Sequence, residues 1–336
     1  MSTVQIHTTT SLEPPPGRLR TATLDPAKGL PLVISPVLPT GLDEARAEIE
    51  AIVAEHLPRV GAVLVRGFDH SGVDAFEAFT GWFSEHLLAY EYGSTPRTQV
   101  KGGIYTSTEY PSSESIPLHN EMAYTTAWPM RIWFYSDIVA ETGGETPIAD
   151  SRAVYRAMPE AIRDKFAERG VMYVRNYRKG LDVPWQKTFG TEDKSVVEAF
   201  CAKNDIEFEW RAGDELRTRQ VCQGVAKHPV SGEPVWFNQA HLFHNSNMPA
   251  QYRTAMLSLF KEEDLPRNAM FGDGTPIDDA TLDTVRGVLR ETRVVFPWQR
   301  GDILMLDNML VAHAREPFTG PRRVVVAMAE HFALKR

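Results

Sequence analysis

Cysteine is scarce. The 336-residue chain has two, Cys201 and Cys222, and neither sits in a C-x-x-C pair. This excludes a disulfide-stapled scaffold and a thiolate-bound zinc cluster, and both thiols are expected as buried apolar packers. Long apolar runs are also missing. No stretch approaches the ~18 consecutive apolar residues of a membrane-spanning helix, so no membrane span is expected. Positive charge is in deficit, with 36 Lys and Arg against 44 Asp and Glu for a formal charge of −8. The absence of a long Lys/Arg run argues against a grip on a nucleic-acid backbone. Met1 to Arg18 lacks the apolar core of a secretory signal, which makes the cytoplasm the default setting. No G-x-G-x-x-G turn joins a strand to a helix, so a dinucleotide-binding fold has no support.

What is present is ordinary globular material, 43% hydrophobic and 10% aromatic, enough for a sizeable core. Pro14 to Gly17 cannot continue a regular element, and residues 1–28 read as a flexible leader before a single domain at 29–336. Apolar residues at helical spacing predict helices at Leu42–Leu57, Val73–Leu88, Gln251–Phe260 and Asp278–Arg290. Asp150-Ser151 is a helix N-cap for Arg152–Met158, Pro159 opens a further helix, and Ser195–Lys203 reads as another. Strands are expected at Val60–Gly67, Ile132–Val139, Val171–Val174, Ile206–Trp210, Leu216–Val221, Val235–Phe237, Thr292–Phe296, Asp302–Leu306 and Arg322–Ala329. The fold class is therefore mainly β with helical decoration. A jelly-roll core, the double-stranded β-helix, would carry a helical insert at about 182–290 between its two halves.

Of the ten histidines, one is followed two residues later by a carboxylate, in His119-Asn120-Glu121. On an extended segment these side chains point to the same side, so an imidazole nitrogen and a carboxylate oxygen can reach one ion. A third ligand must come from elsewhere. His313, after the apolar run Gly301–Asn308 and before Arg322-Arg323-Val324-Val325-Val326, is placed to supply it. Two histidines and one carboxylate leave open positions on iron(II).

Five segments now carry a resemblance: LHNEMAY (Leu118–Tyr124), GGETPIADSR (Gly143–Arg152), VRNY (Val174–Tyr177), WFNQAHLFH (Trp236–His244) and GDILMLDNMLVAHAREPFTGPRRVVVAM (Gly301–Met328). In this order, over about 210 residues, they resemble the taurine dioxygenase and clavaminate synthase-like superfamily of iron(II)/2-oxoglutarate oxygenases, on the branch of the syringomycin-pathway aspartyl hydroxylase. The resemblance implies iron(II) on His119, Glu121 and His313, with 2-oxoglutarate and O2 as cosubstrates. It implies that Thr146 holds the distal carboxylate of 2-oxoglutarate together with an arginine about ten residues after His313. Strand parity lets only one of Arg322 and Arg323 face the site, and the motif register favours Arg323, with Arg322 as the alternative. Ala327 stands where a sulfonate-binding arginine would be, which argues against a sulfonate substrate. Glu121 fills the metal position that halogenating relatives leave for chloride, which favours oxygen insertion.

The substrate the resemblance implies is a small molecule, an amino acid or amino-acid-derived intermediate of specialised metabolism, free or held on a carrier protein. Hydroxylation is the default outcome, with desaturation, epoxidation or cyclisation at the same site as alternatives. Substrate contacts are sought at Tyr105, Glu109 and Asn238, while His241 and His244 read as structural or pocket-lining. Two other classes compete. A zinc hydrolase would use the same three ligands but leave Thr146 and the arginine without a task, and a non-catalytic cupin-like protein would not bind 2-oxoglutarate tightly. The sequence does not indicate an oligomeric state.

Overall fold

A computed structural model describes residues 17–89, 97–108 and 110–334. In chain order its strands are β1 (Leu19–Asp25), β2 (Leu30–Pro36), β3 (Ala62–Val65), β4 (Gln99–Lys101), β5 (Ile104–Thr106), β6 (Ile116–His119), β7 (Ala127–Ile138), β8 (Thr142–Gly143), β9 (Ile148–Asp150), β10 (Val171–Tyr177), β11 (Glu207–Arg211), β12 (Glu215–Cys222), β13 (Val225–Lys227), β14 (Pro234–Trp236), β15 (Arg267–Phe271), β16 (Ile303–Asp307), β17 (Val311–Arg315), β18 (Phe318–Thr319) and β19 (Arg323–Ala333). The helices are α1 (Arg46–Val60), α2 (Gly72–Gly81), α3 (Ser151–Ala157), α4 (Glu160–Arg169), α5 (Trp185–Phe189), α6 (Lys194–Lys203), α7 (Ala240–Phe243), α8 (Ala250–Leu259) and α9 (Asp279–Thr292).

Among the described residues the major sheet has the order β1-β2-β3-β16-β7-β19-β5-β4, and a three-stranded sheet has the order β6-β17-β9. Alternation along β7 and β19 sorts the side chains between two faces. Trp133, Tyr135, Val325 and Ala327 pack with residues of α1 and α2, including Ile49, Val53, Phe76 and Phe79. Ile132, Phe134, Val324 and Val326 turn the other way and pack with Ile148 and Val311 of the smaller sheet. The second cluster is the interior of the jelly roll, and the candidate site opens from it.

Three expectations need correction. The leader does not run to residue 28, because Leu19–Asp25 is already a strand paired with β2. Its burial pattern is mostly exposed, so it lacks the apolar alternation that marks a strand in sequence. The insert at 182–290 is not simply helical. Together with β10 it forms the four-stranded sheet β11-β12-β10-β15, and α6 and α9 contribute to the same apolar cluster through Val197, Leu282 and Val285. Thr292–Phe296 is not a strand, since Val294 makes only an isolated bridge to Ile148. The Asp150 cap is present and accepts hydrogen bonds from the amides of Arg152 and Ala153. Both cysteines are buried. Among the described residues no helix is long and apolar enough to cross a membrane.

Candidate metal and cosubstrate site

The two histidines of the candidate triad meet through strand register. His119 ends β6 and His313 lies in β17, where they are direct antiparallel partners with ring centroids 4.5 Å apart. Glu121 follows two residues after His119, and one ligand atom from each of the three lies within 4.8 Å of the others. His119 Nδ1 lies 2.8 Å from the Pro117 carbonyl. That bond makes Nδ1 the protonated nitrogen and leaves the Nε2 lone pair for an ion. His313 Nε2 lies 3.7 Å from Glu121 Oε2. Burial lowers the proton affinity of His119, and burial followed by the neighbouring His119 and Arg97 lowers that of His313 further. Two neutral imidazoles and one buried carboxylate suit a divalent metal of intermediate softness such as iron(II).

The backbone that carries Glu121 is held by a chain of buried amide side chains. Asn308, fully buried, accepts a hydrogen bond from the Glu121 amide at 2.7 Å and donates to the Glu121 carbonyl at 2.9 Å and to the Pro129 carbonyl at 2.8 Å. Asn120 donates to the Asn308 carbonyl at 2.6 Å, and Gln239 donates to the Asn120 carbonyl at 2.7 Å. Met122 has φ = 58°, a left-handed conformation uncommon outside glycine. The chain therefore turns sharply just past Glu121, inside this network. Arg97 Nη2 donates to Glu121 Oε2 at 2.7 Å, and both side chains are buried. No spacing rule connects Arg97 or Asn308 to the H-x-E pair. Only the fold brings them there.

A narrow cleft of about 30 Å³ runs from the histidines past Phe134 and Thr146 to Arg322. Of the two candidate arginines, the structure brings Arg322 to this cleft. Arg323 turns away, is about half exposed and pairs with Asp137 at 2.6 Å, so the preference for Arg323 is corrected. The reason is local. Side chains alternate along this segment, so Arg322 shares the face of Val324 and Val326 that looks into the jelly roll, while the register slip beside it falls on β7, at Asp137, the partner of Arg323. Arg322 Nε donates to the Gly144 carbonyl at 2.9 Å, and its guanidinium lies over the Phe318 ring. Gly144, at φ = 73°, leaves space that a Cβ would fill 2.9 Å from Arg322 Cδ and Nε. Burial, and secondarily Arg315, pulls the Arg322 pKa down to about 10, so it stays cationic near neutral pH. Thr146 is buried and accepts a hydrogen bond from Trp298 Nε1 at 3.1 Å.

On the other side of the triad lies a cavity of about 280 Å³ bounded by Tyr110, Tyr124, Gln239, Phe243 and Arg267. Arg97 and His119 line both spaces. A cavity of about 350 Å³ lies elsewhere, against Met122, Trp128, Ile206 and Met328, and no triad side chain lines it. The substrate contacts expected from the sequence fare differently. Asn238 is buried, donates to the Gly224 carbonyl and accepts from the Ala240 amide, so it is a structural brace, and its neighbour Gln239 lines the cavity instead. Tyr105 packs against the jelly-roll interior, paired with β19 opposite Val326, and lines neither space. Glu109 lies outside the described residues. His241 Nε2 bonds to the Leu118 carbonyl at 2.9 Å, and its pKa is pushed down to about 3 by burial. It is structural, as expected. His244 accepts a hydrogen bond from the Ser246 amide at a helix start.

Residues 34–328 match the family described as taurine catabolism dioxygenase TauD, TfdA family. The dapdiamide synthesis protein DdaC of Enterobacter agglomerans is 41% identical over 278 residues, covering 83% of this chain and 84% of the relative. A clavaminate synthase-like protein of Arabidopsis thaliana is 35% identical over 283 residues, covering 80% and 82%. The fold is shared with PvcB of Pseudomonas aeruginosa, at a TM-score of 0.54, 14% identity and coverage of 96% and 94%. It is also shared with AAD-2, solved with Mn(II) and N-oxalylglycine, at a TM-score of 0.51, 14% identity and coverage of 93% and 96%. The chain belongs to the TauD/TfdA family and is an iron(II)- and 2-oxoglutarate-dependent dioxygenase.

Proposed function

We propose that His119, Glu121 and His313 hold the iron(II), and that Thr146 and Arg322 hold the distal carboxylate of 2-oxoglutarate. The substrate is an amino acid or amino-acid-derived intermediate of a biosynthetic pathway, hydroxylated in the 280 Å³ cavity. The observation that carries the assignment is the cross-strand pairing of His119 with His313, which brings both imidazoles to the Glu121 carboxylate. Bound iron supplies the activation of O2 that these side chains cannot provide.

The protein residues position the reactants and exclude water. Arg322, cationic and seated against Gly144, offers a planar fork to a carboxylate, and Thr146 offers a hydroxyl beside it. Phe134, with its ring 4.9 Å from that of His313, walls the cleft with an apolar surface. Arg97 braces Glu121 and separates the cosubstrate cleft from the larger cavity. Tyr124, Phe243 and Gln239 give that cavity two aromatic walls and one amide. A relative named for dapdiamide synthesis supports an amino-acid-like substrate in a biosynthetic setting. A structural neighbour described as an oxygenase from an isonitrile synthetic pathway is consistent with the same setting, though at 15% identity it bears on the fold. Glu121 supports hydroxylation over halogenation because its oxygen takes the position chloride would need.

The test is succinate formation from 2-oxoglutarate with iron(II) and ascorbate, alone and with candidate amino acids supplied free or on a carrier protein. Substrate-stimulated succinate and a product carrying one oxygen from ¹⁸O2 are expected. Substrate-stimulated succinate with a dehydrogenated or cyclised, unlabelled product would move the outcome but leave the site. No succinate under any condition, with iron bound, would contradict the reading.

A further inference from the structure

We infer that Trp298 is a positioning residue for the cosubstrate, because its indole N–H fixes which way the Thr146 hydroxyl donates. The inference rests on the proposed role of Thr146. Trp298 Nε1 lies 3.1 Å from Thr146 Oγ1, and both side chains are buried. An indole nitrogen only donates, so the threonine oxygen must accept this bond. Its own proton is then directed away from the tryptophan. Among the described residues no protein acceptor for that proton is present. The hydroxyl faces the cleft that also holds Arg322, where a carboxylate oxygen is the acceptor it lacks.

The tryptophan is held from both sides. Arg66 Nη2 donates to the Pro297 carbonyl at 2.8 Å, just before it. The same guanidinium makes a two-pronged pair with Asp302, Nε to Oδ1 at 2.9 Å and Nη2 to Oδ2 at 2.6 Å. Asp302 Oδ2 accepts the Gln299 amide at 2.7 Å, just after the tryptophan. The Phe296 ring meets the indole edge-on at 5.9 Å. Reciprocal backbone bonds between Val294 and Ile148, at 2.7 and 2.9 Å, tie this segment to the strand that follows Thr146. A segment clamped this way delivers the N–H to one place. Pre-orienting a hydroxyl donor removes the cost of aligning it when the ligand arrives.

The experiment measures 2-oxoglutarate binding to the Mn(II)-loaded protein by calorimetry, in the wild type, Trp298→Phe, Thr146→Val and the double variant. One hydrogen bond of ordinary strength corresponds to roughly 3- to 10-fold in affinity. Trp298→Phe is expected to weaken 2-oxoglutarate binding by that factor. In the Thr146→Val background the same change is expected to have no further effect, because there is no hydroxyl to orient. A purely structural tryptophan would lower the melting temperature but not produce this non-additivity. Should Trp298→Phe fold poorly, replacing the indole by its benzothiophene isostere keeps the shape and removes only the N–H. Unchanged affinity in Trp298→Phe or the isostere, or losses that simply multiply in the double variant, overturns the inference. A wild type that binds Mn(II) but not 2-oxoglutarate overturns the cosubstrate reading itself and this inference with it.

Discussion

The two ends of the site are built differently. At the metal end, His119 and His313 are set by direct cross-strand pairing, and Glu121 by an Asn308 clamp on its backbone. At the carboxylate end, Arg322 lies just before β19, beside a register slip, and is seated by a glycine and a carbonyl of another segment. One end is fixed by a direct cross-strand pair and an amide clamp, and the other by a residue at the edge of a strand, held by the carbonyl of another segment. At the carboxylate end, alternation concentrates the function in whichever of two adjacent arginines shares the buried face of Val324 and Val326.

The comparison can be broken first at the metal end. Glu121→Ala and His313→Ala should each abolish turnover. Each should lower metal affinity by more than the roughly 10–100-fold typical of losing a partner one step removed from the metal, measured by Mn(II) titration. At the other end, Arg322→Ala removes one partner of a buried charge pair, an effect of about 3–5 kcal/mol or roughly 10²- to several-thousand-fold in 2-oxoglutarate affinity. Metal binding should be nearly intact. Arg323→Ala is the contrast: 2-oxoglutarate binding should match the wild type, because its side chain is half exposed and paired with Asp137. The reverse result would restore Arg323 to the role the motif register gave it.

A smaller effect tests the clamp. Asn308→Ala leaves the Glu121 amide and carbonyl without their partner, and should destabilise the protein by about 2–4 kcal/mol in chemical unfolding. The loss should fall as much on metal affinity as on stability. A variant with normal metal affinity would show that the clamp holds the fold and not the ligand.

The smallest effect concerns His241. Its folded pKa is depressed to about 3 from 6.5, so below pH 6.5 the unfolded chain takes up a proton that the folded chain refuses. Stability is unaffected above that pH and falls as the pH drops through the window from 6.5 toward 3. Between pH 6.5 and 5.5 this histidine should remove about 1 kcal/mol. His241→Gln, which keeps a donor for the Leu118 carbonyl, should flatten that part of the profile by the same amount. An unchanged slope would mean that other groups carry the acid sensitivity.

Much of this was legible in the sequence, and the failures have physical causes. H-x-E spacing pointed to His119 and Glu121 together, although only His119 lies in a strand and Glu121 opens the turn that follows, and the segment resemblance singled out His313 and Thr146, which the fold brings to the same neighbourhood. α1 and α9 were readable because apolar periodicity and burial coincide at Ile49, Val53, Leu57 and at Leu282, Val285, Leu289. β1 was not, because a mostly exposed strand carries no apolar pattern. Parity says that one of Arg322 and Arg323 faces in, and alternation from the buried Val324 and Val326 picks Arg322, whereas the motif register, counted from His313, favoured Arg323. Arg97, Asn308 and Trp298 left no local signal. Their partners lie 24, 187 and 152 residues away, and such contacts exist only once the sheets have closed.

The most direct test of the account is an anaerobic titration of the protein with iron(II) and 2-oxoglutarate, following the visible charge-transfer absorption of the chelated cosubstrate. The account predicts a band that saturates at one iron and one 2-oxoglutarate per chain. The band should vanish in His313→Ala and require far more 2-oxoglutarate in Arg322→Ala, but not in Arg323→Ala. A wild-type protein with no band, or a His313→Ala variant with an undiminished one, would contradict it.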